Sequence, residues 1–376
     1  MPIYKMDGKK DGKQKYRVRI NYMDNLGNAK QIDRVAYGAD AAKQLEMELN
    51  YQIKQQDISK KITIGQLFAE YLEMKKHEVR ETSLDKTNRI LQRYVIPKFE
   101  NTRIDKITIP LVQKWKCELS EQKISITTRK NIYGEFRALM SFAVKMEYIP
   151  KNTVAAAGNF KSPLEPAKEM LYYTAEEFKK YISAAREYAE KSEANGNLYN
   201  WNYYVFFSFA FFTGMRKGEI YALTWHDIKD GYISITKSIA QKLKGGDRIT
   251  PPKNKSSIRE IQIPLPLQKA IDEHYKRCSV MDGFNDNLYI CGGDRPIRDT
   301  SLNNINTKFA DLAGVKHIRI HDFRHSHASL LANEGINIQE IARRLGHSKI
   351  SITWETYSHL YPREEERAIN ILNKIV

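Results

Sequence analysis

The sequence predicts a multidomain chain, mainly α-helical with small β parts, on three observations. At 376 residues the chain exceeds what one ordinary hydrophobic core supports. The first 55 residues include apolar and polar side chains alternating at the period of a strand, whereas from Ile62 the apolar spacing becomes that of a helix. A stretch with little pattern, 155–171, holds Gly158, Pro163 and Pro166 and reads as a linker to a longer C-terminal part.

Residues 1–55 form the first expected module. Tyr16-Arg17-Val18-Arg19-Ile20-Asn21-Tyr22 reads as a half-buried strand and Asp24-Asn25-Leu26-Gly27-Asn28 as a turn. Gln31 to Tyr37 is the returning strand, and Ala41 to Gln55 is helical. The alternation sets Arg17 and Arg19 on the face opposite Val18 and Ile20. That face is either a basic surface shaped for a nucleic-acid groove or an ordinary solvated one.

Residues 62–154 carry helical stripes. Ile64, Leu67, Phe68, Tyr71 and Leu72 follow the one-face spacing of a helix, and Ile90, Leu91 and Tyr94 stop before Pro97. Thr108 and Pro110 open a third stripe of Val112, Trp115 and Leu119. The longest stripe, Ile132 to Val144, ends before Pro150. These stripes are core, and the opposite faces carry basic residues such as Arg89, Lys114 and Arg137.

The third expected module, 172–376, opens on the capping box Thr174-Ala175-Glu176-Glu177. An apolar run from Tyr203 to Phe212 leads into Thr213-Gly214-Met215-Arg216. Gly231 to Lys237 and Ile258 to Ile263 have strand character and flank a long basic loop, and from Leu265 most segments are helical. Ile369, Leu372 and Val376 make a terminal apolar stripe that either packs on its own domain or joins protomers.

Composition narrows the partners. Lys plus Arg number 61 against 45 Asp plus Glu, a net charge of +16, which favours a polyanion. Nucleic acid is favoured over an anionic membrane surface because no basic amphipathic helix with a Trp/Phe/Leu face stands out. No apolar run approaches the ~18 residues of a spanning helix, and no apolar signal segment follows Met1-Pro2-Ile3, so a cytoplasmic protein with no membrane partner is expected. Cys117, Cys278 and Cys291 are far apart and form no Cys-x-x-Cys pair, which supports neither a zinc ribbon nor a disulfide framework.

Chemistry concentrates in three clusters: Thr213-Gly214-Met215-Arg216, His321-Asp322-Phe323-Arg324, and Leu345-Gly346-His347 followed ten residues later by Tyr357. A tyrosine oxygen can attack phosphorus, guanidinium forks match the phosphoryl oxygens, and imidazoles move protons or hold the phosphate. His321 and Arg324 are three apart, hence on one face of a helix, and Gly346 can end a helix and aim His347 outward. Tyr357 lies near the chain end, where a segment can swing. His321, His325 and His327 also suggest a metal cluster. The spacing of His325 and His327 suits no shared helical face and no carboxylate or Cys completes the set, so no metal is expected.

Taken together these motifs resemble the tyrosine recombinases, specifically the integrases of temperate phages and integrative conjugative elements of Gram-positive bacteria. The resemblance covers essentially the whole chain and is carried most specifically by Thr213-Gly214-Met215-Arg216-Lys217-Gly218-Glu219 and Leu345-Gly346-His347-Ser348. It implies an N-terminal three-stranded-sheet module binding arm-type DNA sites (1–55), a helical, SAM-like core-binding domain (62–154), a linker (155–171) and an α+β catalytic domain with a C-terminal tail (172–376). It implies six catalytic residues: Arg216, Lys253, His321, Arg324, His347 and Tyr357. Pro251-Pro252-Lys253-Asn254-Lys255-Ser256-Ser257 offers two lysines for the acid; in related integrases this lysine is often followed by Thr, and Asn254 stands there here, which places Lys253 first and Lys255 second. Arg17 and Arg19 are then DNA contacts, as is Lys255, and Arg259 is either a further phosphate contact or a hairpin charge.

The mechanism so implied is attack of Tyr357 on a phosphodiester, giving a 3′-phosphotyrosyl link and a 5′-hydroxyl. His321 would take the tyrosine proton, His347 would hydrogen-bond the phosphate, and Lys253 would protonate the leaving oxygen. The link conserves the energy of the broken bond, so no cofactor is expected, in keeping with the missing Gly-x-x-x-x-Gly-Lys-Ser/Thr motif. The implied partners are double-stranded DNA and a homotetramer on it, with a host DNA-bending protein and an excisionase as candidate helpers. A type IB topoisomerase-like enzyme and a non-catalytic DNA-binding regulator are the alternatives. The N-terminal module argues against the first and the full residue set against the second.

Overall fold

The computed structural model describes residues 3–23, 29–58, 62–161, 170–241, 246–252, 255–361, 369 and 372–373. The chain divides into two compact units, Met1–Pro166 and Ala167–Val376.

The first unit begins with an antiparallel sheet of Ile3–Lys10, Lys13–Met23 and Ala29–Tyr37 in sequence order, followed by the helix Ala39–Ile58. The middle and third strands and the helix are those the alternation predicts. The first strand is hidden in the sequence by its lysines, and its pairing register slips between Lys5 and Lys9. Asp11 and Gly12 both have positive φ, at 51° and 74°, and join Lys10 directly to its partner Lys13. That is the mirror-image turn that an Asp-Gly pair favours, because its twist matches that of the strands. Val18, Ile20, Ala36, Ala42, Leu49 and Ile53 form the small core of this module.

The rest of the unit is helical: Ile64–Glu78, Glu81–Tyr94, Ile96–Phe99, Ile109–Glu121, Ile126–Lys145 and the short Thr153–Ala157. Thr63 and Gln66 cap the first of these reciprocally, satisfying two amides that a helix start leaves orphaned. The predicted stripes meet in one core. Its centre is Phe99, Trp115 and Phe136, with Phe99 stacked on Phe136 at 5.4 Å and Trp115 edge-on to Phe136 at 5.3 Å. The first residues assigned to a linker are structured instead. Phe160 and Ala157 pack on this core, Lys116 Nζ donates to the Gly158 carbonyl, and Gln113 Nε2 donates to that of Ala157. Apolar anchoring there outweighs the glycine and proline content from which a linker was read.

The second unit surrounds the helix Trp201–Thr213, which is apolar on every side and therefore central. Ala175–Ala194, Asp299–Ala313 and Asp322–Asn333 pack with it through Tyr181, Phe309 and Phe323, whose rings lie 5.3, 6.0 and 5.1 Å from that of Phe207, and Leu265–Cys278 joins the same core through Leu267, Ala270 and Ile271. A three-stranded antiparallel sheet of Ile228–Lys229, Tyr232–Ile235 and Arg259–Gln262 flanks this core. Part of the predicted basic loop pairs as a second hairpin, Ser238–Ala240 with Arg248–Thr250. Two short helices, Ile338–Leu345 and Ile350–Tyr357, complete the described part of the unit. Of the terminal apolar stripe, Ile369 and Leu372 are exposed; Ile371, Ile375 and Val376 lie outside the described residues.

Truncating Phe136, which is fully buried against two aromatic neighbours, is expected to cost about 3–5 kcal/mol. Phe136→Ala should therefore lower the denaturant midpoint of the unfolding transition assigned to this helical core, while the transition of the 167–376 unit keeps its midpoint.

Candidate active site

Two buried arginines organise the site. Arg324, on the first turn of Asp322–Asn333, is only 3% exposed. Its Nη1 donates to the Gly214 carbonyl at 2.8 Å and its Nη2 to the Leu345 carbonyl at 2.7 Å. One side chain thus ties the end of the central helix to the end of Ile338–Leu345, across more than a hundred residues of sequence. Among the described residues it has no carboxylate ion-pair partner. Burial, then the nearby Arg216 charge, pushes its pKa down to about 9, opposed by the Glu219 carboxylate.

Gly214 makes this approach possible. Its φ is 64°, and a Cβ there would stand 2.7 Å from the ring of His327 and 2.8 Å from Leu345. His327 is itself fully enclosed, with Nδ1 on the Phe211 carbonyl, which assigns it a packing role beneath the site.

Arg216 caps the next helix, Lys217–Ala222. Glu219 Oε2 accepts from the Arg216 amide and Oε1 from its Nη1 at 2.9 Å, while Arg216 Nη2 reaches the Gly346 carbonyl at 3.4 Å. Glu219 is also the counter-charge of Arg259, which donates from both Nη atoms to it and from Nε to the Arg344 carbonyl. Burial works against the Glu219 carboxylate, but Arg259 and then Arg216 outweigh it and hold its pKa below the usual range.

This corrects one expectation. Arg259, read as a phosphate contact or a hairpin charge, is 8% exposed with every guanidinium nitrogen engaged, so it is a buried brace rather than a surface cation. Its partner Glu219 and the close-packed Gly346, where a Cβ would meet Arg259 at 3.0 Å, leave it no free edge.

Gly346 ends its helix in the left-handed conformation (φ 67°), as its position suggests. His347 does not point freely outward, however. It is half-buried, with Nδ1 2.8 Å from the Thr353 hydroxyl, because the following helix folds back over it. Enclosure and the Arg324 and Arg216 charges push its pKa down to about 4, so at neutral pH it is an uncharged imidazole.

Tyr357 departs furthest from the sequence reading. Instead of sitting on a swinging end it is the last residue of Ile350–Tyr357, 2% exposed, packed against Ala328, Ala332, Ile341 and Leu345. Burial pushes its hydroxyl up to about 12, against the pull of Arg324. The imidazole that meets that hydroxyl is His325, with Nδ1 at 2.7 Å, and not His321. His321 caps the start of the same helix, exposed, with its ring edge-on to His325 at 5.3 Å. Its partial enclosure and the neighbouring His325 and Arg324 push its pKa down to about 4. His325 was weighed in the sequence only as a metal ligand. The signal that finds it is helical spacing: His321, Arg324 and His325 stand at i, i+3 and i+4.

Lys253 lies outside the described residues, and Lys255 begins a short 3₁₀ turn, Lys255–Ser257. Arg17 and Arg19 lie on one outward face of the N-terminal sheet, as the alternation requires, and both clasp Asp33 from the neighbouring strand. That shared carboxylate offsets part of the positive charge expected of this face.

Comparison with known proteins fits this geometry. The phage integrase family profile matches residues 173–364, and the profile for the phage integrase N-terminal SAM-like domain matches 63–120. The ICEBs1 integrase of Bacillus subtilis is 26% identical over 377 residues, covering 97% of this chain and 98% of that protein. A XerC-like tyrosine recombinase of Caldanaerobacter subterraneus is 25% identical over 403 residues, covering 97% of each chain. In fold, the chain is similar to the Tn1549 transposon integrase solved with a circular intermediate DNA, at a TM-score of 0.66 and 17% identity over 84% of this chain and 100% of that one. It is also similar to lambda integrase solved as a tetramer on a Holliday junction, at a TM-score of 0.57 and 16% identity over 97% of each.

Replacing Glu219 with Gln should leave Arg259 buried without its counter-charge and cost about 3–5 kcal/mol. Because the folded carboxyl titrates below its unfolded value, its contribution is fully present above about pH 4.3 and is lost as the pH falls through the lower folded value. The stability gap between wild type and Glu219→Gln, read by chemical denaturation, should therefore be constant near neutrality and close in acid.

The paired guanidinium groups, the enclosed tyrosine and the matches along almost the whole length lead to one conclusion: the chain belongs to the phage integrase family and is a tyrosine recombinase, an enzyme that breaks and rejoins DNA in site-specific recombination.

Proposed function

We propose that this recombinase integrates and excises a prophage or other mobile element by attack of Tyr357 on a DNA phosphodiester. The attack leaves a 3′-phosphotyrosyl link and a free 5′-hydroxyl, and the reverse attack by a hydroxyl from the partner duplex rejoins the strand. The observation that carries the reading is the buried Arg324 guanidinium, held by two backbone carbonyls with Arg216 nearby and, among the described residues, no carboxylate paired to it. A phosphoryl group supplies the missing negative charge, and its non-bridging oxygens suit two guanidinium forks. Neutral His347, with Nδ1 occupied by Thr353, offers Nε2 to the phosphate. The proton of Tyr357 passes to the imidazole pair His321 and His325. Lys253 is the proposed acid for the leaving oxygen with Lys255 second, on the sequence alone.

The domain roles belong to the same proposal. Residues 1–55 hold arm-type sites, 62–154 the core site, and 172–376 perform the chemistry on double-stranded DNA. The net charge of +16 supports this. So do solved neighbours whose complexes hold DNA, one of them a tetramer on a Holliday junction. We assign the working form as a homotetramer acting in the cytoplasm, with a host DNA-bending protein and an excisionase as helpers. Among the described residues no helix is long and apolar enough to cross a membrane.

Tyr357→Phe should bind the site as wild type does and trap no covalent adduct on a nicked suicide substrate. An adduct from that variant would move the nucleophile elsewhere, with Tyr361 next in line. Wild-type cleavage should persist in EDTA, because arginines carry the phosphoryl charge; loss with chelator and rescue by Mg²⁺ would point to another nuclease class.

Removing residues 1–55 should spare cleavage of a core site and impair integration. Each lost phosphate contact should lower the salt slope of binding by about 0.9 on DNA carrying both kinds of site. An unchanged slope would make the sheet module structural.

A further inference from the structure

We infer that His325 is the base that receives the Tyr357 proton as the tyrosine oxygen attacks phosphorus. The inference rests on the reading of Tyr357 as nucleophile and goes beyond it by assigning the proton acceptor. Four observations carry it.

First, His325 Nδ1 lies 2.7 Å from the hydroxyl, within direct transfer distance, and the two rings are 5.9 Å apart. Second, the hydroxyl is buried, so bulk water is not at hand to take the proton. Third, His325 and Arg324 are adjacent on the first turns of one helix, so the acceptor and the guanidinium that grips the phosphate move as one rigid element. Fourth, His321 stands edge-on to the ring of His325 at 5.3 Å, and among the described residues the hydrogen bond to the Tyr357 hydroxyl comes from His325 and not from His321.

The groups that face His325 are His321, Asp322 and Arg324 on its own helix, Arg319 from the preceding segment, and Tyr357 from Ile350–Tyr357. Enclosure holds its pKa below the ordinary imidazole value, opposed by Asp322 and reinforced by Arg319 and Arg324. It is therefore uncharged at neutral pH and free to accept. In the step, the bond from Tyr357 Oη to phosphorus forms and the bond from phosphorus to the 5′ oxygen breaks. The tyrosine proton goes to His325 Nδ1, and the leaving oxygen gains a proton from the lysine of the 251–257 loop. On rejoining, the imidazolium returns its proton to Tyr357.

The test is single-turnover adduct formation on a suicide substrate, from mildly acidic to alkaline pH, with wild type, Tyr357→Phe, His321→Ala, His325→Ala and His325→Asn. Asparagine places an amide group where Nδ1 stands, so it keeps a hydrogen bond to the hydroxyl without an imidazole's basicity, and it carries the test if the Ala variant misfolds. Tyr357→Phe and wild type judge the nucleophile independently of His325. His325→Asn should bind DNA and melt as wild type does, yet form adduct about 10²–10⁴-fold more slowly.

Its rate should also lack the decline that wild type shows as the pH falls through the imidazole range, whereas His321→Ala should retain that decline. A substrate with sulfur at the 5′-bridging position needs no acid for its leaving group, so it should not restore His325→Asn. Wild-type speed in His325→Asn, restoration by the sulfur substrate, or an unchanged acid limb would each overturn the assignment. The first and third would make His325 a positioning residue, and the second would make it an acid.

Discussion

A guanidinium buried without a carboxylate is the constraint on which the catalytic unit depends. Burying an ion costs several kcal/mol even after relaxation. Arg324 is nevertheless sequestered, and among the described residues its hydrogen bonds go to the carbonyls of Gly214 and Leu345. Those carbonyls belong to two helix ends, where backbone oxygens lack intrahelical partners. The arginine therefore serves the ends of two helices and is served by them, and the site closes around it.

The surrounding residues keep that cation from being neutralised prematurely. Glu219 is nearby, but Arg259 and Arg216 occupy it. Arg259 is in turn locked to the Arg344 carbonyl, one residue before the carbonyl that Arg324 uses. Small residues set the spacing, since Gly214 and Gly346 stand where any side chain would strike His327 or Arg259. The same tight packing encloses Tyr357, whose hydroxyl is hydrogen-bonded to His325.

In the first unit, the basic face of the sheet is tempered by design of the register. Arg19 stands directly opposite Asp33 and Arg17 two pairs along on the same face, so both arginines reach one carboxylate. Ion pairs as exposed as these contribute little to stability, and such arginines are readily exchanged onto another anion. The shared carboxylate holds the two guanidinium groups side by side on one face of the sheet.

Much of this molecule was legible in local pattern. The change of apolar period at Ile62, the capping boxes at Thr63 and Thr174 and the apolar run before Thr213 are short-range signals, and each corresponds to an element seen in the fold. The clusters around Arg216, Arg324, His347 and Tyr357 were likewise visible, because reactive chemistry restricts residue type so strongly. What local pattern could not reveal is which long-range neighbour each side chain meets. The lysine-rich strand Ile3–Lys10 is stabilised by its partner strand and not by its own apolar content. Arg259 looks like a surface cation until Glu219, forty residues away, is folded against it. His321 and His325 cannot be told apart in the sequence until the helix Ile350–Tyr357 docks and brings the Tyr357 hydroxyl to His325. Composition, periodicity and motif identity follow from neighbours in the chain, and these the sequence determined by itself. Burial, the partner of each charge and the imidazole that meets the Tyr357 hydroxyl depend on contacts that only the tertiary structure creates, because a charge or a hydroxyl takes its properties from whatever surrounds it in space.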